Sequence, residues 1–198
     1  MLTLLHEHFH QMQMSQPGYN TGVAALNLAR GDRGGMWMLN YAFAYDSAVV
    51  QARYSEFAAE LLRAFDSPND AAKALPTLTA SRARLRAVLS PDDDRYLGFQ
   101  MWQEGVSRYT ELMVARRAAA SFTPTAAFVA LSDYTPLRDA VTSMEREIRS
   151  GLQNNPLGRL RRVAFYAAGA AYAQVLQATS AQWTSDYWTS GYQLSAKP

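Results

Sequence analysis

Apolar residues recur at intervals of three and four along most of this chain, a spacing that restricts it to helices. No alternating run reads as a strand, and no Asn-Gly or Asp-Gly pair marks a hairpin. A first helix is expected over Leu2 to Met14, stopped by Pro17-Gly18 and followed by a loop containing Gly31, Gly34 and Gly35. A long helix is expected from Trp37 to Phe65, striped by Leu39, Phe43, Tyr45, Val49, Val50, Tyr54, Phe57, Leu61 and Leu62. Ser67-Pro68-Asn69-Asp70 ends it, and a further helix over Ala71 to Leu89 is expected to be interrupted at Pro76. Ser90-Pro91-Asp92-Asp93-Asp94 carries the serine, proline and carboxylates of a helix start, and that helix reaches about Ala120. Phe122 to Thr135 reads as a loop with a short helical turn. Leu137 to Leu152 and Leu160 to Thr179 read as two more helices, separated by Asn154-Asn155-Pro156. The aromatic residues after them (Trp183, Tyr187, Trp188 and Tyr192) read as a clamp that pins the tail to the bundle, with the lining of a cleft as the alternative. No repeat or linker divides residues 1–198, so one all-α domain is expected, a helical bundle with its first helix at the N-terminus.

Composition narrows the function. Thirty-three alanines, many in runs, suit helices that approach one another closely. With no cysteine, a disulfide scaffold, a thiolate metal site and a cysteine nucleophile are all excluded. A net charge of +2 with only short basic pairs argues against a nucleic-acid partner. The uncharged stretch from Val163 to Ser185 is mostly alanine with several glutamines, which reads as a buried helix and not a membrane span. His6, Glu7 and His8 follow the apolar Met1 to Leu5 at once, so no signal peptide is read and a cytoplasmic location is the default expectation. Oligomeric state is not legible.

All three histidines fall within five residues, as His6-Glu7-His8-Phe9-His10. His6-Glu7-x-x-His10 is the HExxH zinc pattern, here on an expected helix. Residues four apart on a helix differ by about 40° in azimuth, so both rings can reach one ion. Glu7 flanks that face, where its carboxylate could take a proton from a water held by the ion. His8 points roughly the other way. The competing reading is a polar helical turn with solvated histidines, but the apolar frame of Leu4, Leu5, Phe9 and Met12 argues against it. A third ligand must be Asp or Glu, since no other His or Cys exists. Glu104 is the best candidate, a carboxylate among Phe99, Met101, Trp102 and Val106, where a cation would offset its burial. The alternative for Glu104 is an ion pair with Arg108 on a wet face. A close helix–helix approach would explain Gly105. Glu111, two turns on, is read as a carboxylate behind the ligands or as a partner of Arg108 or Arg116. For an oxyanion donor Tyr109, Tyr166 and Arg162 are the candidates.

The segments HEHFHQMQ and WQEGVSRYTE resemble the gluzincin type of zinc metallopeptidase, in particular uncharacterised bacterial zincin-like proteins with a HExFHxxQ helix and a later EGxxxYxE helix. The stretches from Gly34 to Ala42 and from Phe165 to Ala171 also look like helices of that group. The resemblance implies that His6, His10 and Glu104 bind Zn(2+), that Glu7 is the general base, and that the substrate is a peptide or protein. The chain departs from the family in three ways. The HExxH helix begins almost at Met1, where members usually carry a preceding region with a substrate-binding edge strand. The expectation is either a truncated form or mis-called start, or a substrate bound without that edge. Position 108 is Arg where thermolysin-like enzymes have an acidic residue. The gap from His10 to Glu104 is long. The expectation is therefore a zinc-dependent peptidase, with a non-catalytic helical scaffold carrying a structural or vestigial metal site as the alternative. A ferritin-like di-iron site is dismissed, since a second ExxH would need another histidine.

Overall fold

The computed structural model describes residues 2–194, and among them helices are the only regular element. Helix α1 spans Leu2–Met14, as the sequence indicates. Gly18, at φ +81°, then turns the chain into a short helix not anticipated from sequence, α2 (Tyr19–Ala25).

The long helix expected from Trp37 to Phe65 is two helices. Helix α3 (Trp37–Asn40) is a single turn, and α4 runs Ala48–Asp66. Between them Tyr41-Ala42-Phe43-Ala44-Tyr45 is drawn out by two tight bonds, Phe43 N to Tyr41 O (2.9 Å) and Tyr45 N to Phe43 O (2.7 Å). The physical reason is the period of this segment. Its three rings are buried and the alanines between them are not, an alternation of two that a helix cannot bury on one face. Tyr41 stacks on Tyr96 at 4.3 Å, and Phe43 meets Phe165 edge-on at 5.2 Å.

After a turn of 3-10 helix (Pro68–Asp70), α5 (Ala71–Arg86) runs unbroken through Pro76. The expected interruption is absent because the carbonyl that loses its partner belongs to exposed Ala72, where water can replace the bond. Helix α6 (Pro91–Gln100) starts as its sequence prescribes, the Ser90 hydroxyl accepting from Asp93 N at 3.0 Å. It continues through a π-helical turn (Met101–Gly105) into α7 (Val106–Ser121), so a single rod reaches from Pro91 to Ser121. A short turn α8 (Ala126–Val129) and the amphipathic α9 (Leu137–Leu152) follow.

The last long helix begins later than expected. Helix α10 (Pro156–Leu160) is followed by Arg161 at φ +52° and a 3-10 turn, and α11 covers Ala164–Thr179. Helix α11 is the centre of the molecule: from Ala164 to Leu176 every residue except Tyr166 is buried. Its alanines let α4, α5, α7, α9 and the π turn close around it. At Gly169 a side chain would stand 2.4 Å from the Met101 carbonyl, and at Gly105 one would stand 2.3 Å from the Gly169 Cα. The two glycines thus let the π turn rest directly on α11, the close approach that Gly105 suggests. Helix α12 (Trp183–Tyr187) folds the tail back onto the bundle. No helix among the described residues is long and apolar enough to cross a membrane.

Candidate metal centre

Two rods build the site. Helix α1 packs against α7 and presents His6 and His10 one above the other, with ring centroids 4.6 Å apart and nearly perpendicular planes. The π turn presents Glu104. A wide turn of this kind opens the backbone ladder, and here the carbonyls of Trp102 and Gln103 accept bonds from side chains. Glu104 Oε2 lies 3.2 Å from His6 Nε2 and 3.2 Å from His10 Nε2. Ligand atoms about 2.0–2.1 Å from a common tetrahedral ion stand roughly 3.3 Å apart. One donor atom from each of the three residues falls within 4.8 Å of the others.

The far nitrogen of each ring is also occupied. Gln13 sits one turn after His10 and is fully buried. Its amide nitrogen donates to the Gln103 carbonyl at 3.0 Å and to the Tyr187 hydroxyl at 2.5 Å. That orientation leaves Gln13 Oε1 facing His10 Nδ1 at 2.7 Å, so Nδ1 carries a proton and Nε2 is the nitrogen aimed at Glu104. Ser107 stands beside the same nitrogen at 3.3 Å. His6 Nδ1 is backed by a carboxylate, Glu111 Oε1 at 3.6 Å, and Glu111 is itself held by Arg108 Nη1 at 2.9 Å. Arg108 pairs with Glu111 and Glu147 and not with Glu104. The carboxylate behind the histidine therefore lies seven residues after Glu104, and the arginine at position 108 clamps it.

Charge follows from this geometry. Burial opposes protonation of His6, but hydrogen bonds to Glu104 and then Glu111 outweigh it and lift the ring to about 9. His10 is raised as well, again against burial, chiefly by Glu104. Burial disfavours ionised Glu104, yet the bonds from His10 and His6 hold its carboxyl down at about 2. Without an ion the three groups thus form a tight ionic cluster in which protons occupy the centre.

Of the oxyanion candidates, Tyr166 is at the site and Tyr109 is not. Tyr166 stacks on His6 (centroids 6.2 Å, planes 12° apart), and its hydroxyl accepts from Arg162 Nη1 at 2.5 Å. Burial, and then the Glu104 charge, push the Tyr166 hydroxyl well above its ordinary value, so it remains a donor. Arg162 also approaches Glu104 Oε1 at 3.7 Å. Tyr109 faces the other side of α7, edge-on to Trp183 at 5.6 Å, because the 3.6-residue period turns it away from Glu104 and Glu111. Glu7 and His8 are exposed on α1, Glu7 on the solvent side next to His6.

Sequence reasoning gave no role to Gln13, Ser107 or the Tyr187 hydroxyl. The i,i+3 spacing of His10 and Gln13 was the available signal for the first. Comparison with family models, curated proteins and solved structures gives no match.

Proposed function

We propose that this chain holds a zinc ion on His6, His10 and Glu104 and acts as a zinc-dependent hydrolase, most simply a peptidase. One observation carries the reading: two imidazole Nε2 atoms each stand 3.2 Å from one Glu104 oxygen, while the opposite nitrogens face Gln13 and Glu111. An ion pair needs only one histidine and no such backing; a metal centre needs both. Two neutral nitrogens and a carboxylate oxygen form a donor set that suits zinc. When bound, zinc would supply Lewis acidity, polarising a carbonyl and bringing water to nucleophilic strength near neutral pH.

The chain's own residues would do the rest. Glu7, beside His6 and open to solvent, takes the proton of the attacking water and returns it to the leaving amine. Tyr166, its hydroxyl fixed by Arg162, donates to the developing oxyanion. Gln13 and Glu111 hold the two rings in the tautomer that offers Nε2. The substrate is a peptide or protein.

Metal analysis of tag-free protein tests the first half: one zinc per chain is expected, lost in Glu104→Gln and His10→Ala. Cleavage of a peptide library by the loaded protein tests the second, with turnover abolished in Glu7→Gln while its zinc content stays full. Stoichiometric zinc with no cleavage would instead favour a helical scaffold with a structural ion.

A further inference from the structure

A cavity of about 400 Å³ lies beside the triad, between α9, the α10–α11 junction and the rod, with Tyr166 on its wall. Its charge is lopsided. Arg108, Arg146 and Arg159 line it, against a single carboxylate, Glu147, over an apolar floor that includes Ile148. Arg108 is already engaged by two carboxylates, Glu147 and Glu111, and has no charge to offer an incoming anion. Two cations remain. Arg159 donates only to carbonyls, Ser150 O at 2.7 Å and Gln153 O at 3.4 Å, and Arg146 has no carboxylate partner among the described residues.

Both are exposed on the lining of one cavity, where a carboxylate could take charge-assisted hydrogen bonds from either guanidinium. Tyr166 connects this cavity to the chemistry, since its ring stacks on His6 and its hydroxyl is bonded to Arg162. An extended residue covers about 3.3–3.6 Å, so a peptide whose scissile bond meets the triad can pass Tyr166 and enter the cavity within a few residues.

We infer that the cavity bounded by Arg146, Arg159 and Tyr166 is a substrate subsite for a peptide carboxylate, adjacent to the scissile bond. This rests on the reading of the triad as a hydrolytic zinc centre, and it adds a substrate preference: acidic over neutral, and neutral over basic. The carboxylate can be an acidic side chain or a free C-terminus, and four peptides distinguish them. Acetyl-Ala-Ala-Glu-amide carries the side-chain acid and acetyl-Ala-Ala-Ala the terminal one, while acetyl-Ala-Ala-Ala-amide and acetyl-Ala-Ala-Lys-amide are the neutral and basic controls.

Calorimetric titration of each peptide into zinc-loaded Glu7→Gln protein reads binding without turnover. At least one of the two acidic peptides should bind about tenfold or more tighter than the neutral control, and more weakly as salt is raised. Arg146→Gln, which removes no bond to the fold, should erase most of that preference, and Arg159→Gln should do the same. Equal binding of acidic and lysine peptides, or a preference untouched by Arg146→Gln, overturns the subsite. If acidic peptides bind as expected but the loaded wild type cleaves none of a broad library, the hydrolase reading fails and the anion site stands.

Discussion

Replacing Gln13 by leucine would leave helix α1 intact and take away the oxygen that fixes the His10 tautomer. Zinc affinity should then fall about 10–100-fold by competition with a chelating dye, and Glu111→Gln should act similarly through His6. Protons compete for the same atoms. At pH 7 the metal-free His6, with its value near 9, carries a proton that an incoming ion must displace. Zinc uptake should therefore release acid, measurable by titration in buffers of different ionisation enthalpy. The sign for stability follows as well. His6 is raised, so its contribution is complete below 6.5 and lost as pH climbs through about 9. Glu104 is lowered, so its contribution is complete above 4.5 and lost as pH falls through about 2. As far as these two groups govern it, metal-free protein should melt highest between about pH 4.5 and 6.5, and zinc should remove the alkaline decline. The three clustered residues were legible because histidine is so scarce in this chain and because a carboxylate among core residues needs a cation. Gln13 entered only as the last residue of the HExFHxxQ pattern and was given no task, since one glutamine among several on a polar face looks like any solvated side chain.

At the scale of elements, the π turn is the part that most needs its neighbours. It rests on Gly169 through Gly105, and its opened carbonyls are tied to α1 by Gln13 and to α12 by the Tyr187 hydroxyl, which donates to Trp102 O at 3.1 Å. Trp102 stacks on the Tyr187 ring at 4.6 Å and donates its Nε1–H to the Tyr187 carbonyl at 3.0 Å. Gly105→Ala places a methyl against backbone that cannot yield, so a loss of about 1–3 kcal/mol in denaturant unfolding is expected, with zinc affinity falling alongside. Tyr187→Phe leaves the stacking in place and removes only the hydroxyl, at a smaller cost of about 1 kcal/mol. The tail clamp expected from Trp183 and Tyr187 is thus also a support for the Glu104 turn. Helix α6, started by its Ser90 cap, and α9, with one clear apolar stripe, were readable from sequence. The break at 41–47 was not, because a count of apolar spacings absorbed Phe43 and Tyr45 into a stripe when alternation was the better description. The π turn was hidden for another reason: one surplus residue leaves no mark in composition.

For the molecule as a whole, the site joins parts of the chain that are distant in sequence. Helix α1 reaches the bundle through few buried side chains, Phe9 and Gln13 among the described ones, so much of its attachment passes through the histidines. An ion present at a thousand times its Kd stabilises by about 4 kcal/mol, roughly ten degrees in melting temperature for a chain of this size. Chelation should lower the melting point by that order, and amide exchange should quicken first in α1 while α11 stays protected. If exchange instead rises uniformly, the ion is not what holds α1 down.

The extra residue in the rod at Met101–Gly105 has an evolutionary consequence. Deleting a single amino acid there would let the turn close to ordinary winding while the helices on either side stay nearly in phase, and the residues inside it, Glu104 among them, would lose their present placement. The carboxylate would leave its partners although His6, His10 and Glu104 all remained in the gene. Descendants of this chain could therefore lose the cluster by one in-frame codon deletion, and a motif search would still score them as intact.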